Sequence, residues 1–191
     1  MNPALPAPRA GRPRTITRAR IADAGIAMGL PGMTFVGVAA LLGVSHMALY
    51  KHVANLAALK LLVAEEIFAR WELPPPGSDE LERYLVKFSA SLRELVKSHA
   101  GLAAYLIRRK ATTPGMLARI DAHHDQVARS YAMPKARARW LLSTVALHCV
   151  ALADTVYALA GEEWDEADAA IEAEFDLGMR ALIVGALALQ P

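Results

Sequence analysis

Apolar residues recur every three or four positions along most of the chain, a period that predicts amphipathic α-helices. Short breaks rich in glycine and proline separate these segments, and the clearest break is the run of three prolines at 74–76. Runs of β-branched residues are short, so the sequence predicts an all-α fold. The predicted helices cover about 17–28, 34–42, 45–52, 56–71, 79–96, 99–110, 114–131, 134–160 and 165–189.

Segment 34–52 has the pattern of a helix-turn-helix. Thr34 and Ser45 are placed to cap two short helices, and Gly43 between them can take the left-handed conformation that ends the first one. The residues expected to face inward are Val38, Leu41, Leu42, Val44 and Leu49. In such motifs the exposed first turn of the second helix, here Ser45 to Ala48, enters the DNA major groove.

Composition narrows the class of protein. With 191 residues, 54% of them hydrophobic, the chain can bury a substantial core in one or two domains. No run reaches the roughly 18 to 20 apolar residues of a membrane span, and the N-terminus lacks the apolar segment of a secretory signal, so a cytoplasmic location is expected. Cys149 is the single cysteine, which excludes an intrachain disulfide.

Charge is distributed unevenly. Residues 1–60 contain seven Lys or Arg and one acid, a net charge of +6, whereas the remainder contains 14 basic and 18 acidic residues, a net charge of −4. Segment 1–15 is rich in proline and arginine, with little to bury, and is expected to be a flexible arm. Its Arg12 and Arg14 can meet DNA phosphates or a narrow minor groove, although a solvated charged tail is the alternative.

Segment 34–59 resembles the signature of the tetracycline-repressor-type (TetR) family of transcription regulators. The resemblance rests on LLGVS at 41–45, on LYKH at 49–52 and on Asn55 followed four residues later by Leu59. Gly-Arg-Pro-Arg at 11–14 also resembles many members, so the specific match covers about 11–62. Departures occur at Leu56, where members often have Lys, at Val36 and Gly37, and at Val53-Ala54. Fewer phosphate contacts are therefore expected.

The resemblance implies a homodimeric, ligand-responsive repressor of transcription that binds a palindromic DNA operator and is released by a small, mainly apolar inducer. It implies no catalysis and no cofactor. The implied parts are a basic arm at 1–15, a three-helix DNA-binding domain at 16–54, a connecting helix at 55–73 and a ligand-binding and dimerisation domain at 79–191. The implied DNA-binding residues are Arg12, Arg14, Thr34, Ser45, His46, Met47, Ala48, Tyr50, Lys51 and His52.

Two further sets of residues are predicted in the C-terminal part. An inducer pocket is expected between the fourth and eighth helices, although each of its predicted residues could equally be ordinary core. Those residues are Phe88, Tyr105, Leu106, Trp140 and His148. Segments 141–153 and 177–189 are apolar on nearly every side, which favours a four-helix dimer interface. The predicted interface residues are Leu142, Cys149, Leu152, Leu177, Leu182 and Leu189.

Residues 121–125 carry side chains of metal-ligating type. On a helix Asp121 and Asp125 share a face, but His123 and His124 point about 100° apart, and a zinc site needs three or four converging ligands. An exposed polar helix face is the favoured interpretation, and no metal site is predicted. A small helical metal-binding enzyme is the alternative class, and a helix-turn-helix used for protein contacts is a third.

Overall fold

In this computed structural model the described residues are 16–108, 111–157 and 166–189, with side chains described from residue 170 in the last range. They form helices and no strand, which confirms the predicted all-α fold. The helices are α1 (Arg18–Met28), α2 (Phe35–Leu42), α3 (His46–Tyr50), α4 (Leu56–Arg70), α5 (Leu81–Ser98), α6 (Ala103–Ile107), α7 (Pro114–Ser130), α8 (Lys135–Tyr157) and α9 (Glu166–Ala188).

Side-chain caps define where most of the early helices begin. The side-chain oxygens of Thr17, Thr34, Ser45 and Asn55 each accept a hydrogen bond from a backbone N–H in the first turn of α1, α2, α3 and α4. Thr113 does the same for α7, where Pro114 occupies the first turn. Since these bonds are local, the sequence predicts these helix starts well. By contrast, α6 is much shorter than its predicted range, because Gly101 has φ of 80° and Arg108 is extended.

Helices α1 to α4 share one small core, in which Ile21, Val38, Leu49 and Leu59 are almost completely buried. The prediction for Leu41 is wrong, because 58% of it is exposed. The buried face of α2 consists of Phe35, Val38, Ala39 and Leu42. Leu41 lies about 100° from its neighbour around the helix and so falls outside that face.

Helix α8 is the centre of the C-terminal part and packs against α5, α6, α7 and α9. It is the one helix in the described ranges whose length and composition would allow it to cross a membrane. Its face turned towards these neighbours is buried, as in the core helix of a helical bundle.

Helix α4 connects the two halves of the molecule. Its start, capped by Asn55, follows α3 directly, and its last turn contacts α7. The carbonyl oxygens of Phe68 and Trp71 accept hydrogen bonds from the Arg119 guanidinium of α7. Glu65 accepts a 2.6 Å hydrogen bond from Thr113 Oγ1 and forms a 2.8 Å ion pair with Arg18. A displacement at the end of α4 would therefore reach α1.

Candidate functional site

The turn between α2 and α3 is defined by local hydrogen bonds. Gly43 has φ of 70°, and the N–H groups of Gly43 and Val44 donate to the carbonyls of Ala40 and Ala39. Ser45 Oγ then accepts a 3.2 Å hydrogen bond from the N–H of Ala48. These hydrogen bonds define the direction of α3 relative to α2.

An aromatic stack ties the end of α3 back to the start of α2. The rings of Phe35 and Tyr50 lie with centroids 4.4 Å apart and planes inclined by 16°. Phe35 is buried, whereas Tyr50 is exposed on its other side. A helix of only five residues is unstable alone, so this stack and the buried Leu49 hold α3 in place.

The surface formed by α2, the turn and α3 is called here the helix-turn-helix face. Among the predicted DNA-binding residues, His46, Met47, Tyr50, Lys51 and His52 are exposed on it, and Ala48 is half-buried. Thr34 and Ser45 use an oxygen lone pair for capping, which leaves each hydroxyl hydrogen free to donate. Arg12 and Arg14 lie outside the described residues.

The helix-turn-helix face is poor in charge for a surface of this kind. Val36, Leu41 and Met47 are all largely exposed there. Leu56 at the start of α4 is exposed as well. Packing against α1 explains the glycine at position 37, because a Cβ there would lie 2.4 Å from Met28 Cε. Lys51 is the one Lys or Arg between residues 34 and 55, so the positive charge has to come mainly from neighbouring segments.

A second candidate site is a cavity of about 200 Å³ lined by residues of α4 to α8 and open on one side to solvent. Its wall is mostly apolar and aromatic, with a few polar side chains, which is the usual composition of a small-molecule site. The lining residues are Phe68, Trp71, Leu73, Phe88, Leu92, Leu106, Ile107, Arg119, Ile120, His123, His124, Leu142, Ser143, Ala146, Leu147 and Val150.

The structure brings only part of the predicted pocket together. Phe88 and Leu106 line the cavity, whereas Tyr105, Trp140 and His148 are not in its wall. Trp140 lies instead under the guanidinium of Arg137, 5.1 Å from the ring centroid, and His148 is exposed. The reason is helical geometry: α8 turns the side of residues 142, 146 and 150 towards the cavity, and residues 140 and 148 lie off that side.

The prediction that 121–125 form an exposed polar face is wrong for the two histidines. His123 and His124 are each only 7% exposed and both line the cavity, while Asp121 and Asp125 face solvent and bind Lys135. In the described ranges no group of three or more ligating side chains could hold a metal ion. The apolar spacing of residues 116, 120, 123, 124 and 127 along α7 was the signal that could have revealed this burial.

His123 forms a buried pair with Tyr84 of α5. Its Nε2 lies 2.8 Å from the Tyr84 hydroxyl, and burial lowers the pKa of His123 to about 4. Burial likewise lowers the pKa of His124. Both imidazoles are therefore neutral near pH 7 and can donate or accept one hydrogen bond at each nitrogen according to the tautomer.

Only some of the predicted dimer-interface residues are exposed to solvent. Leu142 and Cys149 are buried within the chain itself, so these two predictions are wrong: Leu142 lines the cavity, and Cys149 Sγ donates to the Ser89 carbonyl at 3.2 Å. Leu152, Leu177 and Leu189 are exposed, and Leu182 is half-buried. Of these, Leu177 has the largest exposed fraction, 71%.

Comparison with known proteins finds similarity at the level of structure. The sequence matches no family model and no curated protein. A TetR variant from Acinetobacter baumannii in complex with minocycline is 22% identical, with a TM-score of 0.69 over 90% of this chain and 96% of that one. Apo ActR from Streptomyces coelicolor is 20% identical, with a TM-score of 0.71 over 92% of this chain and 98% of that one. A possible TetR family transcriptional regulator from the same organism is 23% identical, with a TM-score of 0.71 over 91% of this chain and 100% of that one.

Proposed function

We propose that this chain, which has the TetR fold, is a ligand-responsive transcription regulator that binds duplex DNA as a homodimer. The observation that carries the proposal is the helix-turn-helix face. There the first turn of α3 is held by Gly43, Ser45 and the stack of Tyr50 on Phe35, and its side chains point to solvent. A short helix presented in this way fits the width of the major groove.

The proposed contacts divide into base readout and backbone contacts. His46, Met47 and Ala48 approach base edges, where the apolar side chains pack against thymine methyl groups. The hydroxyls of Thr34, Ser45 and Tyr50 donate to phosphates, and Lys51 and His52 contact the backbone beside them. Arg12 and Arg14 supply the charge that the helix-turn-helix face lacks.

Dimerisation through α8 and α9 is the second part of the proposal. Leu177, Ala181, Val184 and Ala188 repeat at helical spacing on α9, and all four are exposed. Leu152 on α8 is exposed as well. An apolar face of this kind is usually covered by a partner. A two-fold axis would then place two copies of α3 in successive major grooves, about 34–36 Å apart, over a palindromic operator.

The cavity is the proposed inducer site. It is supported by ligand-bound structural neighbours, among them TetR with minocycline and ActR with actinorhodin. Helix α4 begins at its cap Asn55, five residues after the end of α3, packs against α1 and reaches the cavity at Phe68, so one rigid element links the DNA-binding part to the cavity. If the inducer and the operator favour different positions of α4, each must weaken the binding of the other, and by the same factor. Because the inducer releases the protein from its operator, we propose that the protein is a repressor. Its proposed location is the cytoplasm.

Selection from fragmented genomic DNA, followed by footprinting of the recovered sites, tests this function. The expected result is protection of a palindrome by the dimer, and its loss when His46 and Met47 are both changed to Ala at unchanged thermal stability. Dimeric, folded protein that protects no specific sequence would overturn the proposal. In that case the exposed apolar residues Val36, Leu41 and Met47 would favour a protein partner for the helix-turn-helix face.

A further inference from the structure

The cavity has an aromatic side that suits a planar ring. Trp71 lies between Phe68 and Phe88, with ring centroids 5.7 Å and 6.0 Å away, and all three line the cavity. A cavity of about 150 Å³ lined by apolar side chains is known to hold benzene. The 200 Å³ here therefore accommodates a compound with one ring, or two fused rings, and a short substituent.

Arg119 places a positive charge on this mostly apolar wall. Its guanidinium lies 5.5 Å from the centroid of the Phe68 ring and donates to the carbonyls of Phe68 and Trp71. Within the described ranges none of the ion pairs includes Arg119. A guanidinium has five N–H donors, so several remain for a further acceptor.

The acidic side chains that line a cleft together with Arg119 are engaged elsewhere. Glu65 and Glu66 line a second cleft to which Arg119 also contributes, and there Glu65 binds Arg18 and Glu66 binds Arg70. Among the described residues, the groups to which Arg119 donates hydrogen bonds are the carbonyls of Phe68 and Trp71 at the end of α4, which carry a partial negative charge. A cation in such a setting favours an anion in the adjacent cavity.

Other polar groups on the wall have hydrogen-bonding capacity to spare. His124 is more than nine-tenths buried, yet in the described part of the chain it has no hydrogen-bond partner. His123 uses one ring nitrogen for Tyr84, which leaves the other available, and the Ser143 hydroxyl also borders the cavity. A ligand with a compact polar end would satisfy these groups, whereas a pure hydrocarbon would leave them without partners.

We propose that the cavity binds a small aromatic carboxylic acid, with its ring among Phe68, Trp71 and Phe88 and its carboxylate on Arg119. This proposal rests on the regulatory function above and specifies its ligand class. A carboxylate matches the planar guanidinium with two parallel hydrogen bonds. A carboxylate on the remaining donors also draws the guanidinium towards the cavity, which weakens its hydrogen bonds to the carbonyls of Phe68 and Trp71 and loosens the last turn of α4.

The test is calorimetric titration of the wild-type protein with matched acid and amide probes: cinnamate against cinnamamide, and naphthoate against naphthamide. Each pair shares its ring and differs in charge. The expected result is at least tenfold tighter binding of the acid at pH 7. In Arg119→Met, which keeps the stem of the side chain, the preference for the acid is lost, while Arg119→Lys retains part of it.

Arg137 offers a matched control. Like Arg119, it donates to carbonyls near the end of a helix, those of Ala186, Leu187 and Leu189, and it lies over an aromatic ring, Trp140. Arg137→Met should leave the preference for the acid unchanged. If the Met variant at 119 does not fold, the acid-to-amide ratio of the wild type and of Arg119→Lys still decides the matter.

Two outcomes overturn the ligand class: amides that bind as tightly as the acids, or no binding of any acid in the series. Neither outcome affects operator footprinting, which uses the protein without ligand. Conversely, failure to protect any DNA would overturn the regulatory function even if the acids bound.

Discussion

The ring of Tyr50 lies flat on the ring of Phe35, with centroids 4.4 Å apart, and 47% of Tyr50 nevertheless remains exposed. One face of this residue belongs to the packing between α2 and α3, and its hydroxyl end faces outward. The same side chain therefore has a structural role and a proposed role in phosphate binding, which two substitutions can separate.

Tyr50→Phe should keep the stack and the thermal midpoint but weaken operator binding by about 1.5–3 kcal/mol per subunit, the usual value of one hydrogen bond to a charged group. Tyr50→Ala should also lower the free energy of unfolding, by about 0.5–1.5 kcal/mol for the aromatic pair and more for lost burial. Gel-shift titration and thermal unfolding measure the two effects. Wild-type affinity in the Phe variant would exclude the phosphate contact.

Deletion of residues 1–15 should weaken operator binding markedly, because the helix-turn-helix face itself carries little charge. The slope of log K against log salt concentration should fall in magnitude by about 0.9 for each arginine that meets a phosphate. Lys51→Gln provides the comparison, because it should reduce the slope by the amount expected for the loss of one phosphate contact per subunit. A truncated protein with an unchanged salt slope would contradict the role of Arg12 and Arg14.

Leu177→Glu combined with Val184→Glu should convert the dimer into a monomer, because two charges would be buried at the centre of the α9 face. Sedimentation equilibrium measures the oligomeric state, and operator affinity should fall with it. Leu117→Glu is the matched control, since Leu117 is an exposed leucine (51%) on α7, away from α8 and α9 in sequence. A double variant that remains dimeric would place the interface elsewhere.

The buried His123 predicts a pH dependence of stability. Its pKa of about 4 in the folded protein lies below the ordinary 6.5, so between these pH values the unfolded chain binds a proton that the folded protein does not. Its contribution to stability is complete above pH 6.5 and is lost as the pH falls towards 4. The slope attributable to one proton is at most about 1.4 kcal/mol per pH unit.

His123→Gln, which can still hydrogen-bond to Tyr84, should flatten this dependence between pH 6.5 and 4. Urea unfolding at several pH values measures it, and the same substitution at the exposed His148 is the control. Part of the pH dependence of stability should remain, since burial also lowers the pKa of His124. An unchanged slope in the variant would mean that His123 is protonated in the folded protein.

Gly25→Ala should destabilise the protein by about 1–3 kcal/mol through overpacking between α1 and α4. An added Cβ would lie 2.3 Å from Val63 Cγ2 and 3.2 Å from Met33 Cε. In a Val63→Ala background the closest contact is absent, so Gly25→Ala should lower the free energy of unfolding clearly less than it does in the wild type. Chemical unfolding of the four proteins in this cycle measures the coupling, and simple additivity would contradict the contact.

The sequence by itself determined the parts of this protein that depend on neighbours within a few residues. Thr34, Ser45 and Asn55 cap their helices as predicted, and Gly43 takes its left-handed conformation, because each of these contacts spans three or four positions. The all-α fold follows from the same local preferences. The helix-turn-helix was therefore predictable almost residue by residue.

Only the tertiary structure decided which sides of the helices are inside. Leu41 lies outside its core, and Leu142 and Cys149 are buried within the chain instead of at a dimer surface. His123 and His124 face the cavity because α7 packs against α8 on that side, although histidine beside aspartate indicates an exposed position. Burial depends on the summed packing of elements distant in sequence, and the cavity and the position of Arg119 on its wall arise from that packing.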